Sequence, residues 1–251
     1  MEPGEVRLLL NQDRYWSLYG LGDMDPARAE YCRWYSHGET IVLRYVEFDP
    51  PILLCAGPDL ESVFAQANGG LDAMKSCFLH LRGEHLPAVE KRFRVTWKRP
   101  MWRMRLAPGA LKPSGLPPAE PLHRKDLDAL RALYADGKET RESPDFFFAS
   151  MLEGGAFHGI WEQGVLVAAG GTHLICESES VAAIGNIYTK RGHRGQGLGA
   201  RITESIVREL EQRGIAAIGL NVKQDNSSAI GLYRRLGFET HCEYWEGQAE
   251  R

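Results

Sequence analysis

The sequence predicts a soluble, cytoplasmic α/β protein built from two α/β halves. Three observations lead there. The chain has 251 residues, which is one large domain or two modest ones. Apolar residues make up 43% and charged residues 25%, enough to pack a core and too ordinary for disorder. The third observation is a seam: Ala107-Pro108-Gly109-Ala110-Leu111-Lys112-Pro113-Ser114-Gly115-Leu116-Pro117-Pro118 is the densest Pro/Gly stretch. Proline lacks the N–H and disfavours helix in the residue before it, so this segment reads as an extended linker. The expected division is 1–106, a linker over 107–118, and 119–251. A net charge of −3 offers no basic field for nucleic acid, and no apolar run is long enough to span a membrane. The five cysteines are scattered and odd in number, with no Cys-x-x-Cys pair. Neither a disulfide framework nor a metal site is expected.

The elements follow in order. Thr40–Val46 and Ile52–Ala56 are apolar, β-rich runs joined through Asp49-Pro50-Pro51, and read as strands. Pro58-Asp59-Leu60-Glu61 opens a helix, with proline and acids in its first turn. Met101–Leu106 reads as a strand before the seam. The aromatic group Tyr15, Trp16, Tyr19, Tyr31, Trp34 and Tyr35 has no basic groove beside it, so it is expected in a core or interface. Beyond the seam, Leu127, Leu130, Leu133 and Tyr134 mark an amphipathic helix. Phe157–Glu162 and Val165–Ala169 form a hairpin about Gln163-Gly164, with a further strand over Ala182–Thr189.

That strand runs into Lys190-Arg191-Gly192-His193-Arg194-Gly195-Gln196-Gly197-Leu198-Gly199-Ala200. Leu198, Ile202, Ile206 and Leu210 then recur at helical spacing, and Gly214 is the expected stop. The glycines therefore stand at a strand-to-helix turn. Such a turn brings unpaired N–H groups and a positive dipole end close to a ligand, and suits a diphosphate. A P-loop would need a Gly-Lys-Ser/Thr ending. A dinucleotide fold matches nominally at Gly195-x-Gly197-x-x-Ala200, but five residues separate strand from glycine and the later acid is missing.

Arg194-x-x-Gly197-x-Gly199 resembles the coenzyme A loop of the GNAT N-acetyltransferase superfamily. A second motif follows in the family's order: Asn226, Ala229, Tyr233, Gly237 and Phe238 match Asn-x-x-Ala-x-x-x-Tyr-x-x-x-Gly-Phe. The resemblance covers roughly residues 120–246 and is nearest to the glycine N-acyltransferase-like branch, which also has an N-terminal α/β half. It implies a mixed, mostly antiparallel sheet flanked by helices, and a first half of degenerate GNAT type. It implies acetyl-CoA as cosubstrate, its pantetheine arm along Ile187, Tyr188 and Thr189, and its diphosphate on Arg194, Gly195, Gln196, Gly197, Leu198, Gly199 and Ala200. Asn226 would bond the pantetheine arm, or simply cap its helix. Tyr233 matches the family's general acid, and it also sits where a core aromatic would.

The base is where this sequence departs from the pattern. The strand Ala182–Thr189 carries no carboxylate. His173 on the preceding strand and Glu246, placed beyond the last strand, are the candidates; Glu177 and Glu179 read as hairpin-tip charges. The first half lacks the loop motif, so a single cofactor site is expected, with that half shaping the acceptor cleft. The expected activity is transferase: direct acetyl transfer from acetyl-CoA to a primary amine of a small-molecule or amino-acid-like acceptor. No cysteine lies in the loop or the Asn226–Tyr233 helix to carry an acyl-enzyme. The competing classes are a non-catalytic acyl-CoA sensor on the same fold and a dinucleotide oxidoreductase. No nucleic-acid or membrane partner is expected, and the chain is a monomer or homodimer.

Overall fold

Eleven strands and eight α-helices form in the computed structural model, which describes every residue except Asn68, Asp72, Arg141 and Asp145. They divide into two units. One holds Met1–Arg103, Val222–Asp225 and Thr240–Arg251; the other holds Met104–Asn221 and Asn226–Glu239.

The first unit begins with two short helices, α1 (Pro3–Leu10) and α2 (Leu18–Gly22). Strands β1 (Cys32–His37), β2 (Thr40–Tyr45) and β3 (Ile52–Ala56) then pair in antiparallel order. Helix α3 (Leu60–Gln66) crosses to β4 (Ser76–Leu81), which is parallel to β3; α4 (Leu86–Glu90) and β5 (Arg94–Leu106) follow. Leu53, Cys55, Val63, Phe64, Leu79, Leu81 and Val89 are among the buried residues of one apolar core. Of the aromatic group expected in a core or interface, all but Tyr15 pack into apolar clusters or are buried. Tyr31 and Trp34 pack on Leu43, Tyr45 and Leu54, Tyr35 packs on the larger core, and Trp16 is buried. The Trp16 ring lies 5.2 Å from His80 and 5.5 Å from Tyr244. Within this cluster Arg103 is wholly buried. Its Nη2 meets His80 Nε2 at 2.7 Å, and its guanidinium stands over the faces of Trp16, Tyr19 and Tyr244. Ring faces thus take the place of a carboxylate partner for a buried cation.

The second unit repeats the order. Strand β6 (Glu120–Pro121) leads to helices α5 (Leu127–Ala135) and α6 (Met151–Gly154). Strands β7 (His158–Glu162), β8 (Val165–Cys176) and β9 (Val181–Thr189) pair antiparallel. Helix α7 (Leu198–Gln212) crosses to β10 (Ala217–Lys223), parallel to β9, and α8 (Ser227–Arg235) follows. The β7–β8 turn uses φ +50° at Gln163 and +78° at Gly164, the twist a two-residue hairpin needs. Helix α7 buries Leu198, Ile202, Ile206, Val207 and Leu210, and stops before Gly214 at φ +76°. In each unit two helices precede three antiparallel strands, a crossover helix, a parallel strand and another helix. This is the GNAT-like mixed sheet that the C-terminal motifs imply, and the element order recurs in the N-terminal half.

The last strand, β11 (Glu239–Glu250), corrects one expectation. It pairs antiparallel with β4, Trp245 opposite Leu81 and Glu246 opposite His80. Glu246 therefore lies inside the last strand, not beyond it, and belongs to the first unit. Its carboxylate accepts from Arg99 Nη2 and the Tyr244 hydroxyl, each at 2.8 Å. The Pro/Gly segment at 107–118 is extended but fastened within the second unit. The Ser114 N–H donates to Glu204 at 2.7 Å, Lys112 N–H to the Leu236 carbonyl at 3.0 Å, and Arg201 Nε to the Pro117 carbonyl at 2.7 Å.

Candidate active site

The site in the second unit begins where two parallel strands part. Pairing of β9 with β10 covers only Val181–Ile184 against Ala217–Leu220, although β9 runs on to Thr189 and β10 to Lys223. On its other edge β9 stays paired with β8 up to Thr189. The edge of Gly185–Thr189 towards β10 has no strand partner and so keeps backbone groups for an added one, although the Thr189 carbonyl accepts from Arg194 Nε at 3.3 Å. A bulge sits at the parting: Asn186 has φ +56°, and the β8–β9 register shifts on both sides of Gly171–Thr172. The Tyr134 hydroxyl, from α5, donates to the Asn186 carbonyl at 2.8 Å and holds the bulge.

The glycine loop ends on the α7 N-terminus. Gly195 and Gly197 have φ of +80° and +76°, in the left-handed region that favours glycine. Among the described residues no side chain caps α7, and its first turn carries no acid. Its first amides therefore face outward with a positive dipole end behind them, the local requirement for binding a diphosphate. The cations around the loop have partners that the linear sequence hid. Arg194 makes a two-pronged pair with Glu142, Nη1 to Oε1 at 3.0 Å and Nη2 to Oε2 at 3.2 Å. Asp136 accepts from the Tyr188 hydroxyl at 2.9 Å and the Arg191 N–H at 3.1 Å, and these bonds hold its carboxyl below the usual range. Asp136 and Glu142, which follow α5, thereby latch onto the loop.

The corresponding turn in the first unit differs. Gly57-Pro58-Asp59 joins β3 directly to α3, and the Asp59 carboxylate accepts the Ser62 N–H at 3.0 Å. The β3–β4 pairing also ends early, at Leu54 opposite His80, but the Cys55 carbonyl beyond it accepts the Trp16 indole N–H at 2.7 Å. A carboxylate and an indole occupy the places where the second unit has open amides and an open strand edge.

The remaining sequence-derived candidates fall on β8 and α8. Asn226 accepts the Ala229 N–H at 3.1 Å and so does cap α8, leaving its amide NH2 as the donor for any ligand. Tyr233 is buried, its ring 5.9 Å from Phe238, and burial pushes the phenol up to about 12. Among the described residues its hydroxyl has no hydrogen-bond partner. His173 is half-buried on β8, and its ring covers Gly185: a Cβ there would lie 2.2 Å from His173 Nε2. A side chain on β9 at 185 would need the space that the imidazole fills. Glu177 and Glu179 do lie at the β8–β9 turn. Glu177 pairs with Arg213 at 3.0 Å, whereas Glu179 is buried. Sequence reasoning missed Tyr134, Asp136 and Glu142, whose partners lie 52 to 55 residues away. The one available signal was Asn186, a residue type that tolerates positive φ.

Known proteins agree with this geometry. Residues 124–238 match the acetyltransferase (GNAT) family. The chain is 35% identical over 77 residues to the ribosomal protein bS18-alanine N-acetyltransferase of Escherichia coli K12, covering 31% of this chain and 50% of that one. It is 41% identical over 61 residues to a mycothiol acetyltransferase of Streptomyces avermitilis, 23% of this chain and 20% of that one. The chain therefore spans half or less of the length of these curated relatives. Among solved structures, a GCN5-related N-acetyltransferase from Kribbella flavida has a TM-score of 0.63 at 20% identity, covering 94% of each chain. A Drosophila protein has a TM-score of 0.73 at 14% identity, covering 100% of this chain and 97% of that one. At those identities the likeness concerns the fold. Motifs, parted strands and family match coincide in one place: residues 124–238 are the stretch that matches the acetyltransferase (GNAT) family.

Proposed function

We propose that the second unit transfers an acetyl group from acetyl-CoA to a primary amine by direct attack. The observation that carries this is the parting of β9 from β10 beside an uncapped, glycine-led helix N-terminus. The pantetheine arm pairs with the open edge at Ile187, Tyr188 and Thr189. The diphosphate lies on the amides of Gly195 to Ala200, with Arg194 turned to it, and Asn226 donates to the arm. His173 takes the proton that the attacking ammonium must lose. The amine nitrogen bonds to the thioester carbon, the C–S bond breaks, Tyr233 gives its phenolic proton to the leaving thiolate, and the second proton that the nitrogen sheds on becoming an amide restores the phenol. The products are the N-acetyl amine and coenzyme A. A phenol raised to about 12 by burial stays protonated at working pH and so is available to donate to the leaving sulfur, although the same shift makes it a weaker acid than the thiol it forms. The repeated element order supports the likeness to the glycine N-acyltransferase-like branch.

Thiol release from acetyl-CoA with a panel of primary amines tests the reading. Turnover that falls in both Tyr233→Phe and His173→Ala supports it; turnover untouched by both substitutions sinks the assigned roles. The absence of a carboxylate from β9 favours one rival, an acyl-CoA sensor. Tight coenzyme A binding with no thiol release on any amine would select it.

A further inference from the structure

Three phenylalanines in a row, Phe146, Phe147 and Phe148, lie between α5 and α6 and do not share one environment. Phe147 turns into the core, its ring 5.3 Å from Tyr134 and 5.9 Å from Phe157. Phe146 is half-buried and Phe148 43% exposed, and the two rings meet edge to face at 4.9 Å. Phe146 also meets the His173 ring edge to face at 5.6 Å. His173 in turn covers Gly185, where β9 leaves β10. The steps Gly185, His173, Phe146, Phe148 thus form a continuous wall from the parted strands to solvent, and none of the four is buried. The anchored Phe147 fixes its backbone.

We propose that this wall receives the acceptor, and that the acceptor is a primary amine carried on an apolar group of about the size of a phenyl ring. This rests on the reading of the second unit as an amine acetyltransferase. Ring faces suit the approaching ammonium, and ring edges and faces suit the apolar group behind it. The amine would then arrive beside the His173 imidazole.

Phenethylamine and ethanolamine share an aminoethyl group and differ in phenyl against hydroxyl, which makes them the probe pair. kcat/KM for phenethylamine is expected to exceed that for ethanolamine by about tenfold or more. The ratio should collapse towards one in Phe146→Ala and Phe148→Ala, and survive in Phe148→Leu. Melting temperatures of the variants confirm that they fold. Equal or reversed preference in the unaltered protein, or a ratio that survives both alanine substitutions, overturns the proposal. If neither amine is acetylated although coenzyme A binds, the acetyltransferase reading falls separately. Calorimetry on the coenzyme A-loaded protein then decides the wall: phenethylamine binding that Phe148→Ala abolishes supports it, and no binding overturns it.

Discussion

Gly197 and Tyr233 show how much of the proposed chemistry rests on single residues. Gly197 combines φ +76° with a place at the head of α7. Gly197→Val forces a β-branched residue into the left-handed region and covers the amides. Coenzyme A affinity by calorimetry should fall by about tenfold or more, and unchanged affinity would move the diphosphate elsewhere. Tyr233→Phe removes one oxygen from a buried ring. Turnover should drop by about a hundredfold, while coenzyme A affinity stays within about threefold. The phenol keeps its proton until pH approaches about 12, so no alkaline loss of rate below pH 10 should trace to it. His80 provides a third test. Arginine only donates, so the 2.7 Å contact from Arg103 fixes His80 Nε2 as acceptor and the ring as neutral. Burial, then the Arg103 charge, hold it well below the usual histidine range. The unfolded chain takes up that proton as pH falls through about 6.5 and the folded chain does not, so stability is full above that pH and lost below it. Urea midpoints compared at pH 7.5 and 5.5 should show the loss, reduced in His80→Gln. His85, which burial lowers as well, adds to the loss, and Asp23, which burial raises to about 7, offsets part of it, so the His80 share is read from the difference between the unaltered protein and His80→Gln.

At the scale of elements, the segment after α5 and the glycine loop act on each other. Glu142 holds Arg194 by two hydrogen bonds, and an incoming diphosphate must compete for the same guanidinium. The pair is exposed and contributes little to stability. Glu142→Gln should therefore tighten coenzyme A by about two- to fivefold with little change in melting temperature. Weaker binding instead would mean that Glu142 pre-orients Arg194 for the ligand. The α8 terminus is constrained differently. Gly237 has φ +99°, and a Cβ there would lie 2.2 Å from the Ala110 carbonyl oxygen. This gives the Gly-Phe pair of the second motif a steric reason, since residue 237 must pass under the extended segment at 107–118.

At the scale of the molecule, the chain's last strand completes the unit in which the chain began. Strand β11 covers the edge of β4 and brings Tyr244 and Glu246 to His80, Arg103 and Arg99. Removing residues 240–251 should expose that edge and unfold the first unit, read as loss of the cooperative urea transition and a tendency to aggregate. The glycine loop, α7 and α8 belong to the second unit. Coenzyme A binding that outlasts loss of the first unit's transition would show that the second unit folds by itself.

The sequence by itself determined the second unit's loop and the helices α5, α7 and α8. Gly195, Gly197 and Gly214 were legible because positive φ is a local demand of backbone sterics. Helix α7 was legible because its apolar face repeats within a few residues. Strands β1 and β4 went unread, although Cys77, Leu79 and Leu81 alternate inward in β4 at the period of two that marks a strand. Tertiary structure alone decided the pairing of β11 with β4, the His173 ring over Gly185 and the Glu142–Arg194 latch. Each joins residues whose separation in sequence carries no periodic signal, and only the folded chain brings them within bonding distance. The division has a physical reason: helix, turn and cap are settled by neighbours along the chain, whereas partners across a sheet are settled by which surfaces the whole molecule must bury.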